Sequence, residues 1–186
     1  YGEGLSGPVS ARLKRLGVEV LVGAQAIGRI GEDALLVRCA DGIERKVECD
    51  KILVTIGRRP STHGLGLDRL ELDMNGSFIR ISDKCETSMR GIFAIGDVTG
   101  EPMLAHRAMA QGEMVAENIS GGNRVWDKRC VPAVCFTDPE IVTAGLSPEE
   151  ARGTIADVRV STFPFTANGR AMTVEDENGF VQVVAD

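Results

Sequence analysis

The sequence predicts an α/β fold built on a buried parallel sheet, followed by a smaller α+β region. Two continuous apolar runs, residues 51–56 and 92–95, are each followed directly by a glycine, which is typical of parallel strands buried on both faces. A long helical pattern follows the second run. Beyond Val125 the sequence changes to short strands and turns, so we predict a domain boundary near residues 123–130.

The N-terminal part predicts one helix and a small antiparallel meander. Ser6 is a candidate N-cap with Pro8 in the first turn, and Gly17 ends the predicted helix. Alternating apolar residues then predict half-buried strands at residues 18–22, 34–39 and 44–47, the last two joined by the turn Asp41-Gly42.

The second helix has an unusual abundance of small residues. Its apolar positions recur at helical spacing, and Gly121-Gly122 stops it; they are Ala105, Ala108, Met109, Gly112, Val115, Ala116 and Ile119. The other predicted elements are strands at residues 78–81, 133–136, 141–145, 156–165 and 180–184, and a capped helix at 147–152.

Composition excludes several functional classes. The 186 residues include 21 basic and 27 acidic side chains, a formal charge of -6, with no basic block, so nucleic acid is not expected as a partner. No apolar stretch approaches the roughly 20 residues that span a bilayer, so no membrane partner is expected. Five irregularly spaced cysteines favour a reducing compartment, and we expect a soluble, cytoplasmic protein. The chain begins at Tyr1 and stops on a strand-like run, so both ends look cut.

A carboxylate follows the second buried run. Gly96 and Asp97 come directly after residues 92–95, at the C-terminal end of a predicted strand, where open α/β sheets bind ligands. Gly96 would let its backbone approach a ligand closely, and Asp97 is an acceptor that suits polyol hydroxyls such as those of ribitol. A carboxylate after a strand is often only a turn or cap residue, but the residues that follow favour the ligand-binding interpretation.

These following residues predict an uncapped helix N-terminus. Pro102 precedes the helix, so the backbone N–H groups of residues 103–106 lack partners within it. A helix N-terminus has roughly half a positive charge. Aimed at the pyrimidine end of an isoalloxazine, it would stabilise the negative charge that reduced flavin develops there. An acceptor and free donors placed in this order would suit a flavin contact over residues 87–105.

Several segments together resemble the pyridine nucleotide-disulfide oxidoreductases. They are residues 56–60 (Ile-Gly-Arg-Arg-Pro), 87–97 and 103–107. Residues 136–140 (Phe-Thr-Asp-Pro-Glu) and 163–171 resemble the dihydrolipoyl dehydrogenase branch of that family, and residues 108–117 resemble its members from bacterial branched-chain 2-oxo acid complexes. The similarity covers essentially the whole chain, as an internal piece of such a protein.

The resemblance implies an α/β flavoprotein with two dinucleotide-binding domains and the start of an α+β dimerisation domain. Residues 1–57 would be the C-terminal half of the NAD-binding domain, residues 58–124 the segment that returns to the FAD domain, and residues 125–186 the start of the dimerisation domain.

The resemblance also implies the site residues. Gly96 and Asp97 would bind FAD, with the Asp97 carboxylate on the ribitol. The flavin ring would contact the backbone of Met103, Leu104, Ala105 and His106, and the nicotinamide nucleotide would contact Gly57 and Ala26. Ala26 is the least typical of these residues, because the family often has a larger apolar residue there.

The implied function is oxidation of protein-bound dihydrolipoamide with NAD through FAD. The protein would be a homodimer that binds the lipoyl domain of a 2-oxo acid dehydrogenase complex. The family's redox cysteine pair and acid–base histidine are expected outside these residues, so no catalytic residue and no metal ligand is assigned and the chain alone is expected to be inactive. Two alternatives remain: a mercuric reductase, glutathione reductase or transhydrogenase relative, and a non-enzymatic, truncated dimerising fragment.

Four polar features have less specific interpretations. Cys130 and Cys135 have the spacing of a redox pair, but an extended segment would separate their Cα atoms by roughly 16 Å, beyond the disulfide limit of about 7 Å, so buried structural thiols are expected. His106 is expected to contribute its backbone, and His63 to lie on the surface. Arg58 and Arg59 suit either a phosphorylated nucleotide or a solvated loop.

Overall fold

The structure is a computed structural model that describes residues 2–127 and 129–186. The described residues group into two units. The first comprises the chain up to Ile56 together with Val134–Ile141 and Asp157–Asp186, and the second comprises Gly57–Ala133 and Val142–Ala156.

The first unit begins with helix α1 (Glu3–Arg15). The predicted N-cap Ser6 is wrong, because the helix starts one turn earlier, with Gly2 as its N-cap, and the Ser6 hydroxyl donates back to the Gly2 carbonyl over 3.3 Å. The predicted end is confirmed. Gly17 has φ +75°, and the two N–H groups after the C-cap donate to the carbonyls of Lys14 and Leu13, which is the Schellman arrangement.

A three-stranded antiparallel meander follows, and its second and third strands are as predicted, whereas the first lies at residues 25–30 instead of 18–22. It is formed by β1 (Gln25–Ile30), β2 (Ala34–Arg38) and β3 (Glu44–Glu48), in that order. Asp41 makes the turn between the last two strands, since its side-chain Oδ1 accepts from the N–H of Ile43 over 2.9 Å. Strand β1 was not predicted.

The C-terminal part of the first unit is an antiparallel pair with a short helix between its strands. Strand β8 (Arg159–Pro164) pairs with β9 (Phe180–Ala185), which confirms both predicted strands. Helix α4 (Gly169–Thr173) was missed, although Asn168 caps it by accepting from the N–H groups of Arg170 and Ala171.

The second unit is organised by helix α2 (Ala105–Ile119). A hairpin of β4 (Met74–Asn75) and β5 (Phe78–Ile79) precedes it, and the short helix α3 (Pro148–Thr154) belongs to the same unit. Cys85, Met114 and Val115 form a buried apolar cluster, against which Ile81, Phe93 and Trp126 pack. Strands β6 (Ala133–Cys135) and β7 (Ile141–Thr143) pair as a two-stranded sheet, and residues 134–141 of this hairpin are grouped with the first unit.

The predicted parallel strands do not form within the described residues. Residues 51–56 have no regular secondary structure there, and Leu53 and Ile56 are 87% and 97% exposed. Residues 92–95 contribute only one isolated bridge, between Phe93 and Glu86, and residues 18–22 are not a strand. A strand buried on both faces requires neighbours at both edges and layers above and below, and the described residues supply none of these to residues 51–56.

No helix among the described residues is both long enough and apolar enough to cross a membrane.

Candidate functional site

The segment that leads to the site is a tightly bonded turn. Thr87 closes it, because its N–H and its hydroxyl both donate to the carbonyl of Ile92, over 3.0 and 2.9 Å. Two residues later the N–H of Ala94 donates to the carbonyl of the buried Cys85 over 3.1 Å. These bonds fix the path of the backbone into Gly96.

Gly96 has no room for a side chain. A Cβ atom built on this residue would lie 2.8 Å from the Cβ of Ala108, on helix α2. Its φ of +70° is also a left-handed conformation that favours glycine. The structure therefore gives one reason for glycine here, which is close packing against helix α2, and the approach of a ligand to the Gly96 backbone stays a prediction. The small residues of α2 thus serve the close packing of protein on protein at this point.

Asp97 presents a half-exposed carboxylate. It lies in a 3-10 turn, Gly96–Thr99, whose last hydroxyl donates to the Gly96 carbonyl over 2.8 Å. The Arg58 guanidinium is its ion-pair partner, but the 3.9 Å between Nη1 and Oδ2 is too long for a hydrogen bond and both side chains are well exposed. The carboxylate therefore keeps most of its capacity to accept hydrogen bonds from a ligand.

Free backbone donors lie at the start of helix α2. Its N-cap, Leu104, provides no side-chain hydrogen bond. Among the described residues, the N–H groups of Ala105 and His106 have no acceptor, whereas that of Met103 donates to the Glu101 carboxylate over 3.1 Å. The prediction of an uncapped N-terminus is thus correct for the first turn of the helix and wrong for Met103, because a neighbouring side chain caps it.

Two polar side chains that the sequence analysis missed support this turn. Arg107 is 7% exposed and Gln111 is 0% exposed, and these are the buried polar residues of the described chain. Arg107 donates to the carbonyls of Gly100 and Pro102 and to the Thr99 hydroxyl, and Gln111 accepts from the N–H of Gly96 over 2.8 Å. Their i, i+4 spacing places both on one face of α2 and is the signal in the sequence, but polar residues on a helix usually face solvent.

The buried face of α2 therefore differs from the predicted one. It consists of Arg107, Gln111, Met114 and Val115. Met109 and Ile119, which were predicted to be part of an apolar stripe, are 68% and 66% exposed among the described residues.

The histidines have the positions that we expected. The Nε2 atom of His106 lies 2.7 Å from the carbonyl oxygen of Pro132, so this ring nitrogen already has a hydrogen-bond partner. His63 lies on the surface.

The two residues predicted for the nicotinamide nucleotide belong to different units. Ala26 is an exposed residue of β1, paired with Val37 next to a bulge. Gly57 belongs to the second unit and has φ +143°, and a Cβ atom added to it would meet no heavy atom within 4 Å among the described residues. A shared role for the two residues stays a prediction.

None of the five cysteines forms a disulfide bond among the described residues. The expected absence of a bond between Cys130 and Cys135 agrees with this, but the expectation that both are buried is wrong, because Cys130 is exposed and Cys135 is half-buried.

Comparison with known proteins identifies the class to which these features belong. Residues 1–112 match the pyridine nucleotide-disulphide oxidoreductase family, and residues 131–186 match the dimerisation domain of the same family. The chain therefore belongs to the pyridine nucleotide-disulphide oxidoreductases. The predicted α/β fold with the start of a dimerisation domain is confirmed by these matches.

Several of the similar proteins within the family are dihydrolipoyl dehydrogenases. The chain is 54% identical over its whole length to the dihydrolipoyl dehydrogenase of Pseudomonas aeruginosa and 42% identical to that of Halobacterium salinarum, and it spans 40% of each. Among solved structures, LpdA from Mycobacterium tuberculosis matches 94% of the chain at 32% identity with a TM-score of 0.82. The flavoprotein disulfide reductase RclA from Escherichia coli matches 98% of the chain at 25% identity, with a TM-score of 0.83. The chain spans 38% and 42% of these two structures.

Proposed function

We propose that this chain is the central segment of a dihydrolipoyl dehydrogenase, in which it holds FAD and part of the NAD site. Its similarity to the Pseudomonas aeruginosa enzyme over the whole chain supports the proposal. The observation that supports this function best is that one unit presents both a hydrogen-bond acceptor and unpaired donors to a ligand. The Asp97 carboxylate is half-exposed, and the N–H groups of Ala105 and His106 at the start of α2 have no acceptor among the described residues.

This arrangement fits the chemistry of FAD. Asp97 would accept hydrogen bonds from the ribitol hydroxyls next to Gly96, because an ionised carboxylate has only acceptors to offer. The backbone of Met103, Leu104, Ala105 and His106 would face the flavin ring, where N–H donors and the helix dipole stabilise an anion. We assign Gly57 and Ala26 to NAD. When bound, FAD supplies the two-electron chemistry of the reaction.

The reaction that we propose transfers two electrons from a dithiol to NAD. Dihydrolipoamide on a lipoyl domain is oxidised to its disulfide, and NAD⁺ receives a hydride to become NADH while one proton is released. Residues 1–57 belong to the NAD-binding domain in this proposal, residues 58–124 to the FAD domain and residues 125–186 to a dimerisation domain. The family match from residue 131 onwards supports a homodimer, and the odd number and irregular spacing of the five cysteines in the sequence support a reducing, cytoplasmic compartment.

The test is turnover of the whole flavoprotein that contains this chain. We expect it to reduce NAD⁺ with dihydrolipoamide, measured as NADH absorbance, and we expect the 186 residues alone to show none of this activity. The same preparation, supplied with NADH or NADPH as the electron donor, is offered oxidised glutathione, mercuric ion and a second, oxidised nicotinamide nucleotide as alternative acceptors. Turnover with one of these acceptors but not with dihydrolipoamide would show that the protein has that other activity instead. Turnover by the isolated chain would contradict the expectation that the redox cysteines and the acid–base histidine lie outside these residues.

A further inference from the structure

Both polar groups of the Gly96 backbone are bonded to side chains. The N–H donates to Gln111 Oε1, and the carbonyl accepts from the Thr99 hydroxyl. The hydroxyl of Thr99 accepts in turn from Arg107 Nη2 over 2.8 Å. Glycine can adopt many backbone conformations at little cost. The hydrogen bonds to both polar groups of Gly96 therefore hold its backbone at φ +70°.

Arg107 is buried without a carboxylate. Among the described residues its guanidinium forms no ion pair, and its partners are the neutral oxygens of Gly100, Pro102 and Thr99. A buried cation that is compensated only by neutral oxygens is costly in a fold whose sole requirement is packing. All three oxygens belong to the segment that follows Asp97, so Arg107 determines how this segment returns to the helix.

Gln111 has a similar imbalance. Its Oε1 atom is used by Gly96, but its Nε2 atom is buried and has no partner among the described residues. A methionine of similar length would fill the space without an orphaned amide. The presence of glutamine at this position is therefore explained by its Oε1 atom, which accepts a hydrogen bond from the Gly96 N–H.

We infer that Arg107 and Gln111 are positioning residues that hold the Gly96–Asp97 turn, and with it the Asp97 carboxylate, in the conformation that binds FAD. They touch no substrate, and they act through Gly96, Thr99 and Gly100. This inference rests on the proposed function, since it assigns the turn to FAD.

The test compares FAD affinity across matched variants of the whole flavoprotein. Gln111→Met and Arg107→Met remove the hydrogen-bonding groups at similar size, and we expect each to weaken FAD binding by about 10- to 100-fold, the loss expected for one buried hydrogen bond or slightly more. Gln111→Glu and Arg107→Lys keep an acceptor and a donor at these positions, so they are expected to rescue binding. Glu113→Met, an exposed residue of the same helix, is the control and is expected to bind FAD normally.

Amide hydrogen exchange of the apoprotein separates positioning from general destabilisation. We expect Gln111→Met to speed exchange at the Gly96 N–H while the N–H groups at the centre of α2 keep their protection. If the methionine variants do not fold, Thr99→Val removes the shared hydroxyl with little change in volume, and it is expected to weaken FAD binding as well.

The inference is overturned if the methionine variants or Thr99→Val bind FAD as tightly as the natural protein, or if Gln111→Glu and Arg107→Lys lose as much affinity as the methionine variants. A natural protein that binds no FAD contradicts the proposed function itself, which distinguishes the two failures.

Discussion

Substitution of Gly96 by alanine tests the close packing of the Gly96–Asp97 turn on helix α2. The new Cβ would meet the Cβ of Ala108 at 2.8 Å, well inside the roughly 3.5–4.0 Å at which carbon atoms attract each other. Relief of such a contact costs about 1–3 kcal/mol. An L-residue at φ +70° adds roughly 1–2 kcal/mol. We therefore expect Gly96→Ala to destabilise the second unit by about 2–5 kcal/mol.

The control for backbone strain is Gly91→Ala. Gly91 has φ +79°, close to that of Gly96, but no heavy atom within 4 Å of its Cβ position, so only the strain of about 1–2 kcal/mol is expected. The double variant Gly96→Ala/Ala108→Gly should recover the contact energy, less about 1 kcal/mol for glycine inside a helix.

Urea unfolding followed by tryptophan fluorescence measures these differences. Trp126 is the single tryptophan of the chain and packs against the buried cluster of the same unit. If Gly96→Ala destabilises no more than Gly91→Ala, or if Ala108→Gly gives no recovery, the packing argument is refuted.

Two further predictions concern the same unit. Hydrogen bonds from the side chain and backbone of Arg129 lower the pKa of Asp127 from 3.8 to about 2. Because the pKa is lower in the folded protein, the ionised Asp127 stabilises the fold above pH 3.8, and this contribution is lost as the pH falls towards 2. An NMR titration should give this value for Asp127 and an ordinary one in Arg129→Gln, and an unchanged pKa in that variant would exclude Arg129 as the cause. Ser147→Ala breaks the capping box of α3, in which Ser147 and Glu150 bond each other's backbone N–H groups, and should cost about 1 kcal/mol in urea unfolding. Glu150→Gln preserves both bonds of the box and should cost much less; a loss as large as that of Ser147→Ala would show that the charge of Glu150 contributes as much as the capping bond of Ser147.

Elements with local signals were predictable from the sequence. The Asp41-Gly42 turn, the glycines after α1 and α2 and the Ser147 capping box each depend on residues within one or two turns of chain, and the structure has all of them. The runs at residues 51–56 and 92–95 have no comparable local determinant. These runs can form strands only when they pair with other segments of a sheet. An apolar pattern shows that such partners are needed but does not identify them.

The exposed groups of the proposed site were predictable from the sequence, but the buried side chains that hold them in place were not. Asp97 and the N–H groups of Ala105 and His106 follow from chain order and helix geometry. Arg107 and Gln111 were missed because polar residues on a helix normally face solvent, and only the contact with the turn explains their burial. The packing of Ala108 on Gly96 was also not predictable, because the sequence does not show which residue of the helix meets this glycine.

The most direct test of the proposed site is the FAD affinity of an Asp97→Asn variant of the whole flavoprotein, measured by quenching of flavin fluorescence and compared with Asp73→Asn, an exposed carboxylate of the same unit. We predict that Asp97→Asn weakens FAD binding by about 10- to 100-fold, because hydrogen bonds to an ionised acceptor are worth about 1.5–3 kcal/mol, and that Asp73→Asn leaves it unchanged. Equal affinity in the natural protein and both variants would contradict the assignment of Asp97 to FAD.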